Sequence, residues 1–150
     1  MKVLWVESHA PVRDMLAIAA DKAARARIQI DLVQAPTLME AERRLRLERF
    51  ELVILDLSLP DSIDADMTIA RVANMGNHRI AVCSSLPERD PAVATAARCG
   101  CNIAPTAVYK AGLPFNRYIQ RPDALLDFFL EQMPTASLHQ FAPARRGAAA

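Results

Sequence analysis

The run Leu52-Val53-Ile54-Leu55 contains no polar alternation. A strand with one wet face alternates apolar and polar residues, so four apolar residues in succession must be covered on both sides. Val3-Leu4-Trp5-Val6 and Ile80–Cys83 read the same way. Between these runs the apolar period changes. Behind Pro11, which suits the first turn of a helix, Val12, Met15, Leu16, Ala19, Ala20 and Ala23 recur at helical spacing. Ile28, Ile30 and Leu32 alternate with polar residues and predict a second strand. Thr37 and Glu40 form a capping box that opens a helix ending near Arg49. Ser62 to Met75 reads as a third helix stopped by Gly76. Asp90 as cap and Pro91 as first helical residue open a fourth, which runs to Gly100.

The order is therefore β-α-β-α-β-α-β-α, which calls for a parallel sheet with helices on both faces. After Gly100 the pattern weakens. Ile103 to Tyr109 predicts a fifth strand ending at Lys110, followed by a loop-like stretch from Ala111 to Asn116 and a helix from Pro122 to Met133. The expected fold is α/β, a doubly wound five-stranded parallel sheet, in one domain over residues 1–133. Residues 134–150 have Pro, Ala and Arg without periodicity and read as a disordered tail.

A formal net charge of +1 gives no reason to expect nucleic-acid or membrane-surface binding. No apolar run approaches the ~20 residues of a spanning helix, and the N-terminus has no signal-peptide core. The expectation is a cytoplasmic protein. Cys83, Cys99 and Cys101 are an odd set without disulfide-framework spacing, and they read as reduced thiols.

In doubly wound sheets, chemistry gathers outside the carboxyl ends of the strands. The residues there are Glu7-Ser8 after the first strand, Asp56 after the third, Ser84 and its rival Ser85 after the fourth, and Lys110 after the fifth. Two acids, a hydroxyl and an amine suit phosphoryl transfer to a carboxylate. Asp56 would be the nucleophile, a hard cation on oxygen ligands would offset charge, and Ser84 and Lys110 would hold phosphoryl oxygens.

With these residues the chain resembles the receiver domain of two-component response regulators over about residues 1–133. The resemblance is carried by VILDLSLPDS, VLWVESHAPVR, AVCSS and DPAVATAARCG. It implies a flavodoxin-like (βα)5 fold and a stand-alone signalling domain rather than an enzyme. It also implies phosphorylation of Asp56 by a histidine kinase or phosphotransfer protein, with Ser84 and Lys110 on the phosphate. Mg2+ would be held by Glu7, Asp56 and the Ser58 carbonyl. Output would pass to a downstream protein through the face formed by the fourth helix, fifth strand and fifth helix.

Two departures qualify that picture. Receivers end the first strand in two acids, the second of which touches the metal; here that position is the neutral Ser8, so metal binding is expected to be weakened. Receivers place a Lys-Pro after the fifth strand; here Lys110 lacks the Pro, and Arg121-Pro122 offers a basic rival after a long insertion. These departures support an alternative class, ranked behind the first: a phosphorylation-independent pseudo-receiver used as an interaction module. A small hydrolase or phosphatase using Asp56 is a third and weaker class. Leu113, Pro114, Phe115 and Tyr118 cluster in the insertion, where they read as an exposed partner surface whose deletion would spare the fold.

Overall fold

The computed structural model describes residues 1–135 of the chain; the expected tail lies, from residue 136 onward, outside the described residues. Five strands alternate with six helices: β1 (Lys2–Val6), α1 (Ala10–Arg25), β2 (Asp31–Ala35), α2 (Leu38–Leu47), β3 (Leu52–Leu55), α3 (Ala65–Ala73), β4 (Arg79–Ser84), α4 (Arg89–Arg98), β5 (Val108–Tyr109), α5 (Phe115–Gln120) and α6 (Pro122–Gln132). Every pairing is parallel, in the order β2-β1-β3-β4-β5. This is the flavodoxin-like arrangement, whose switch point lies between β1 and β3.

The uninterrupted apolar runs now have their reason. Successive strand residues point to opposite faces. Leu4, Val6, Val53, Leu55, Ile80 and Val82 join a core with residues of α2, α3 and α4. Val3, Trp5, Leu52, Ile54, Ala81 and Cys83 join another with residues of α1, α5 and α6. Both faces are dry, so neither admits a polar residue. At roughly 1.5–3 kcal/mol per buried Leu, Ile or Val side chain, these strands supply much of the drive to fold.

Several boundaries differ from the sequence expectation. Strand β2 starts at Asp31, not Ile28. The Ile28 amide instead closes the end of α1 on the Ala23 carbonyl, next to Arg27 at φ 60°. Helix α3 starts at Ala65 rather than Ser62, because Asp64 is its cap and accepts from the Met67 amide. Helix α4 starts at Arg89, ahead of Asp90, without a side-chain cap. Strand β5 is reduced to Val108–Tyr109, preceded by a single bridge from Ile103 to Ile80. Pro105 lies between them and has no N–H to donate into a ladder.

The capping box is half formed. The Thr37 hydroxyl accepts from the Glu40 amide at 3.1 Å, but the Glu40 carboxylate turns to Arg44 at 3.3 Å. Asp61, from the loop after β3, serves instead: its two oxygens accept from the Leu38 and Met39 amides at 2.8 and 2.9 Å. Burial raises the Asp61 carboxyl, but those amides outweigh it and leave the pKa below its ordinary value.

The largest correction concerns the insertion. It holds a 3-10 turn and α5 rather than a loop, and only Pro114 of the four named residues is exposed. Tyr118 is buried, and Leu113 and Phe115 pack against the same core. Trp5 sits 6.2 Å from the Phe115 ring, 5.8 Å from Phe128 and 6.1 Å from Phe129, and Tyr118 sits 5.9 Å from Phe128. The cluster completes the core over β1, so it is not a partner surface. Deleting Gly112–Asn116 is expected to unfold the domain. Phe128→Ala is expected to cost about 3–5 kcal/mol in urea unfolding followed by Trp5 fluorescence; a cost below 1 kcal/mol would remove the cluster from the core.

Candidate functional site

The β1–β3 register places Val6 opposite Leu55, so the next residues, Glu7 and Asp56, emerge side by side. Backbone hydrogen bonds carry the ladder past the strand ends: the Asp56 amide donates to the Val6 carbonyl at 3.1 Å, and the Glu7 amide to Ala35 at 2.9 Å. At this edge the connections from β1 and β3 leave in opposite directions. That divergence opens the crevice in which a doubly wound sheet binds its ligands.

Both acids are withdrawn from solvent, Glu7 at 0% and Asp56 at 1% exposure. Carboxylates buried so deeply need a counter-charge. Lys110, first residue of the 3-10 turn after β5, supplies it. Its Nζ lies 2.8 Å from Asp56 Oδ2 and 3.2 Å from both Glu7 oxygens. Backbone amides take up further capacity: His9 donates to Glu7 Oε2 at 2.9 Å and Ser58 to Asp56 Oδ1 at 3.1 Å. Glu7 Oε1 is left buried without a hydrogen bond.

The electrostatics follow from this packing. Burial is the main cause that raises the Glu7 carboxyl, with the charge of Asp56 adding to it; the His9 amide and Lys110 act against both. Burial pulls the Lys110 ammonium down, but its hydrogen bond to Asp56 and the charges of Asp56 and Glu7 leave it above the ordinary lysine value. The Cys83 thiol is also pushed up, first by burial and then by the two carboxylates, so Cys83 is an inert packing residue here.

The remaining candidates fall into place around the pair. Ser84 is fully buried at the end of β4, and its Oγ accepts from the Leu86 amide at 3.1 Å; Ser85 is exposed. Arg121 pairs with Asp123 at 3.3 Å on an exposed surface, so Lys110 is the basic side chain at the acids. Ser8 does something that the sequence did not reveal: its hydroxyl donates to the Ser58 carbonyl at 3.4 Å. A serine in that position has no sequence pattern that predicts such a partner fifty residues away.

For a divalent cation, the available donors are hard oxygens. Glu7 Oε1, ion-paired with Lys110 but without a hydrogen bond, and an Asp56 oxygen would be the two carboxylate donors that magnesium commonly takes. The Ser58 carbonyl is shared with Ser8, and among the described residues no group of three His, Cys, Asp or Glu side chains gathers to hold a metal. Hard-oxygen donors of this kind are those that magnesium accepts.

With the fold and site in view, the comparisons with known proteins are consistent. No family model matches the sequence, and no curated protein does. Solved structures do match. The non-phosphorylated HemR receiver domain from Leptospira biflexa aligns at TM-score 0.60 and 17% identity, covering 83% of this chain and 93% of that one. The CheY-like response regulator receiver domain protein from Methanospirillum hungatei gives 0.59 and 14%, covering 85% and 94%. The BeF3-activated receiver domain of RstA from Klebsiella pneumoniae gives 0.58 and 21%, covering 87% and 97%. The fold is that of a response regulator receiver domain, over almost the whole length of those proteins. No helix of the described residues is long and apolar enough to cross a membrane.

Lys110→Met would strand two buried carboxylates. The expected loss at neutral pH is about 3 kcal/mol, the lower end for breaking a buried pair, since the ammonium is 18% exposed. Without Lys110, the Glu7 carboxyl rises further above its unfolded value. The folded state then binds more protons than the unfolded one, so the variant recovers stability as pH falls toward the carboxylate range. Urea midpoints measured across pH check this; a pH-independent deficit contradicts it.

Proposed function

We propose that this chain is a receiver-type signalling domain in which Asp56 accepts a phosphoryl group from a histidine kinase or a histidine phosphotransfer protein. The observation that carries the reading is the convergence of Asp56, Glu7 and Lys110, with Ser84 at the neighbouring strand end, at the switch-point edge of a receiver fold. In the step proposed, an Asp56 carboxylate oxygen attacks phosphorus in line. The bond from phosphorus to the donor histidine nitrogen breaks, and its electron pair returns to the imidazole. The product is an acyl phosphate on Asp56.

Lys110 then exchanges its Asp56 oxygen for a phosphoryl oxygen, and Ser84 turns its hydroxyl from the Leu86 turn to another. Magnesium, held by Glu7, Asp56 and the Ser58 carbonyl, would neutralise charge on the transferring group. Lys110 directly follows Tyr109 of β5, on the α4–β5 face. Tyr109 is 51% exposed, with the Arg89 guanidinium of α4 4.7 Å from its ring centroid. A shift of Lys110 therefore moves an exposed aromatic on the face where a downstream protein would read the signal.

A second reading, the phosphorylation-independent pseudo-receiver, has its own observation. Asp56 is 1% exposed with both oxygens engaged, and Ser8 stands where receivers carry a metal-binding acid. One experiment separates the two. Incubation with acetyl phosphate or beryllofluoride and magnesium is expected to add one group, seen by intact mass or fluorine NMR, and Asp56→Asn is expected to abolish it. Equal labelling of the variant removes Asp56 from the mechanism, and no labelling of either protein favours the pseudo-receiver.

The metal makes a separate prediction. Ser8→Asp restores an anionic ligand and frees the Ser58 carbonyl, so magnesium is expected to bind about tenfold more tightly or better, corresponding to ~1.4 kcal/mol. Calorimetric titration of both proteins decides it. Equal affinities would mean that Glu7 has taken over the role.

A further inference from the structure

Six large apolar side chains are exposed among the described residues, and three of them, Met39, Ile63 and Met67, are exposed by 69%, 82% and 48%. The fold brings these three around one loop. Asp61 is bonded to the Met39 amide at 2.9 Å, Ile63 lies two residues further on, and Asp64 is bonded to the Met67 amide at 2.7 Å. Met67 continues the patch into a groove of about 560 Å³ between α3 and α4, lined by Ala65, Ala70, Pro91, Ala92 and Thr95. The small residues keep the groove open, and its lining is mainly apolar. Exposed apolar side chains gathered around one loop and beside a groove are the kind of surface that marks an interaction site.

The charged side chains that line it are acidic, and the one guanidinium bonded to its lining among the described residues, Arg98 on Thr95 Oγ1 at 3.2 Å, lies a helical turn further along α4. Asp64 and Asp66 at the start of α3 and Glu88 at the start of α4 line the groove, all exposed. No ion pair joins any of the three to a basic side chain among the described residues. The acids of the neighbouring α2 are treated differently: Glu40 and Glu48 pair with Arg44, and Glu42 with Arg71. An apolar trough between two helices accepts the apolar face of a third helix, and an unpaired acidic rim selects lysine and arginine on its flanks.

We propose that the Met39–Ile63–Met67 patch and the α3–α4 groove dock a basic amphipathic helix of a partner protein. The surface is distinct from the α4–β5 face that would carry output. Its use does not require phosphorylation of Asp56, so it stands or falls separately from the reading above. Its position has a consequence, because it includes the segment that leaves the site directly after Asp56. A partner seated there would hold the β3–α3 loop in one place.

The probe is a short fluorescein-labelled peptide of leucine and lysine, with leucine at i, i+3, i+4 and i+7 spacing. Its leucine–glutamate counterpart is the control. Anisotropy with the full chain is expected to show binding of the lysine peptide only. Amide shifts in the ¹⁵N-labelled protein are expected to centre on residues 61–70 and 88–95. Ile63→Asn with Met67→Asn, and Asp66→Asn with Glu88→Gln, alter exposed positions and are each expected to weaken binding about tenfold. Binding that both double variants retain, equal binding of the glutamate peptide, or shifts centred elsewhere would overturn the proposal. So would binding that appears only after truncation at residue 135, since the chain's own tail would then be the occupant. Dimerisation in sedimentation that Ile63→Asn with Met67→Asn abolishes would reassign the surface to a second copy.

Discussion

One ammonium group holds the functional edge of this domain together. Glu7 and Asp56 are brought side by side by the β1–β3 register, in a place from which water is almost wholly excluded. Two like charges at such a site repel each other and lose hydration; the His9 and Ser58 amides offset part of that cost, and Lys110 is the cation that reaches both acids. Lys110 arrives from the far end of the sheet, more than fifty residues after Asp56 and a hundred after Glu7. It ties the β5 turn to the ends of β1 and β3. Whatever draws Lys110 toward a new anion therefore loosens a contact between opposite parts of the chain, and that coupling is the basis of the signalling role proposed.

The positions beneath explain how such a charged edge is tolerated. The three central strands, β1, β3 and β4, are dry on both faces, and the core on one side is closed by an aromatic cage around Trp5. That rigid base limits the edge to small rearrangements of turns. The α5 segment is part of the base, whereas Tyr109 of β5 and Asp66 and Glu88 beside the α3–α4 groove are exposed.

Much of this was legible in the sequence, for physical reasons that differ by element. Leu52–Leu55 could be read because an unbroken apolar run allows only a doubly covered strand, and Asp56 stood out because it ends that run. Lys110 could be placed because it followed the last strand-like segment. Strand β2 was set too early: Ile28 and Ile30 alternate as strand residues do, yet Ile28 closes a helix end, which depends on Arg27 adopting positive φ. The insertion was misjudged because Gly112 and Pro114 suggest a surface loop, while its aromatic partners lie on β1 and α6. The Ser8–Ser58 contact left no trace, since a serine hydroxyl has too many possible partners for spacing to single one out.

The Asp61 carboxylate, which accepts from the first amides of α2, also bears on how the chain assembles. An N-terminal turn normally closes on a residue within the same few positions, as Thr37 does here. The Leu38 amide instead depends on a group 23 residues later, beyond β3. Fixing the start of α2 thus requires a loop closure with its own entropic cost. The first turn of α2 and the loop after Asp56 therefore share hydrogen bonds, and disorder in the loop would leave the Leu38 and Met39 amides without their carboxylate partner.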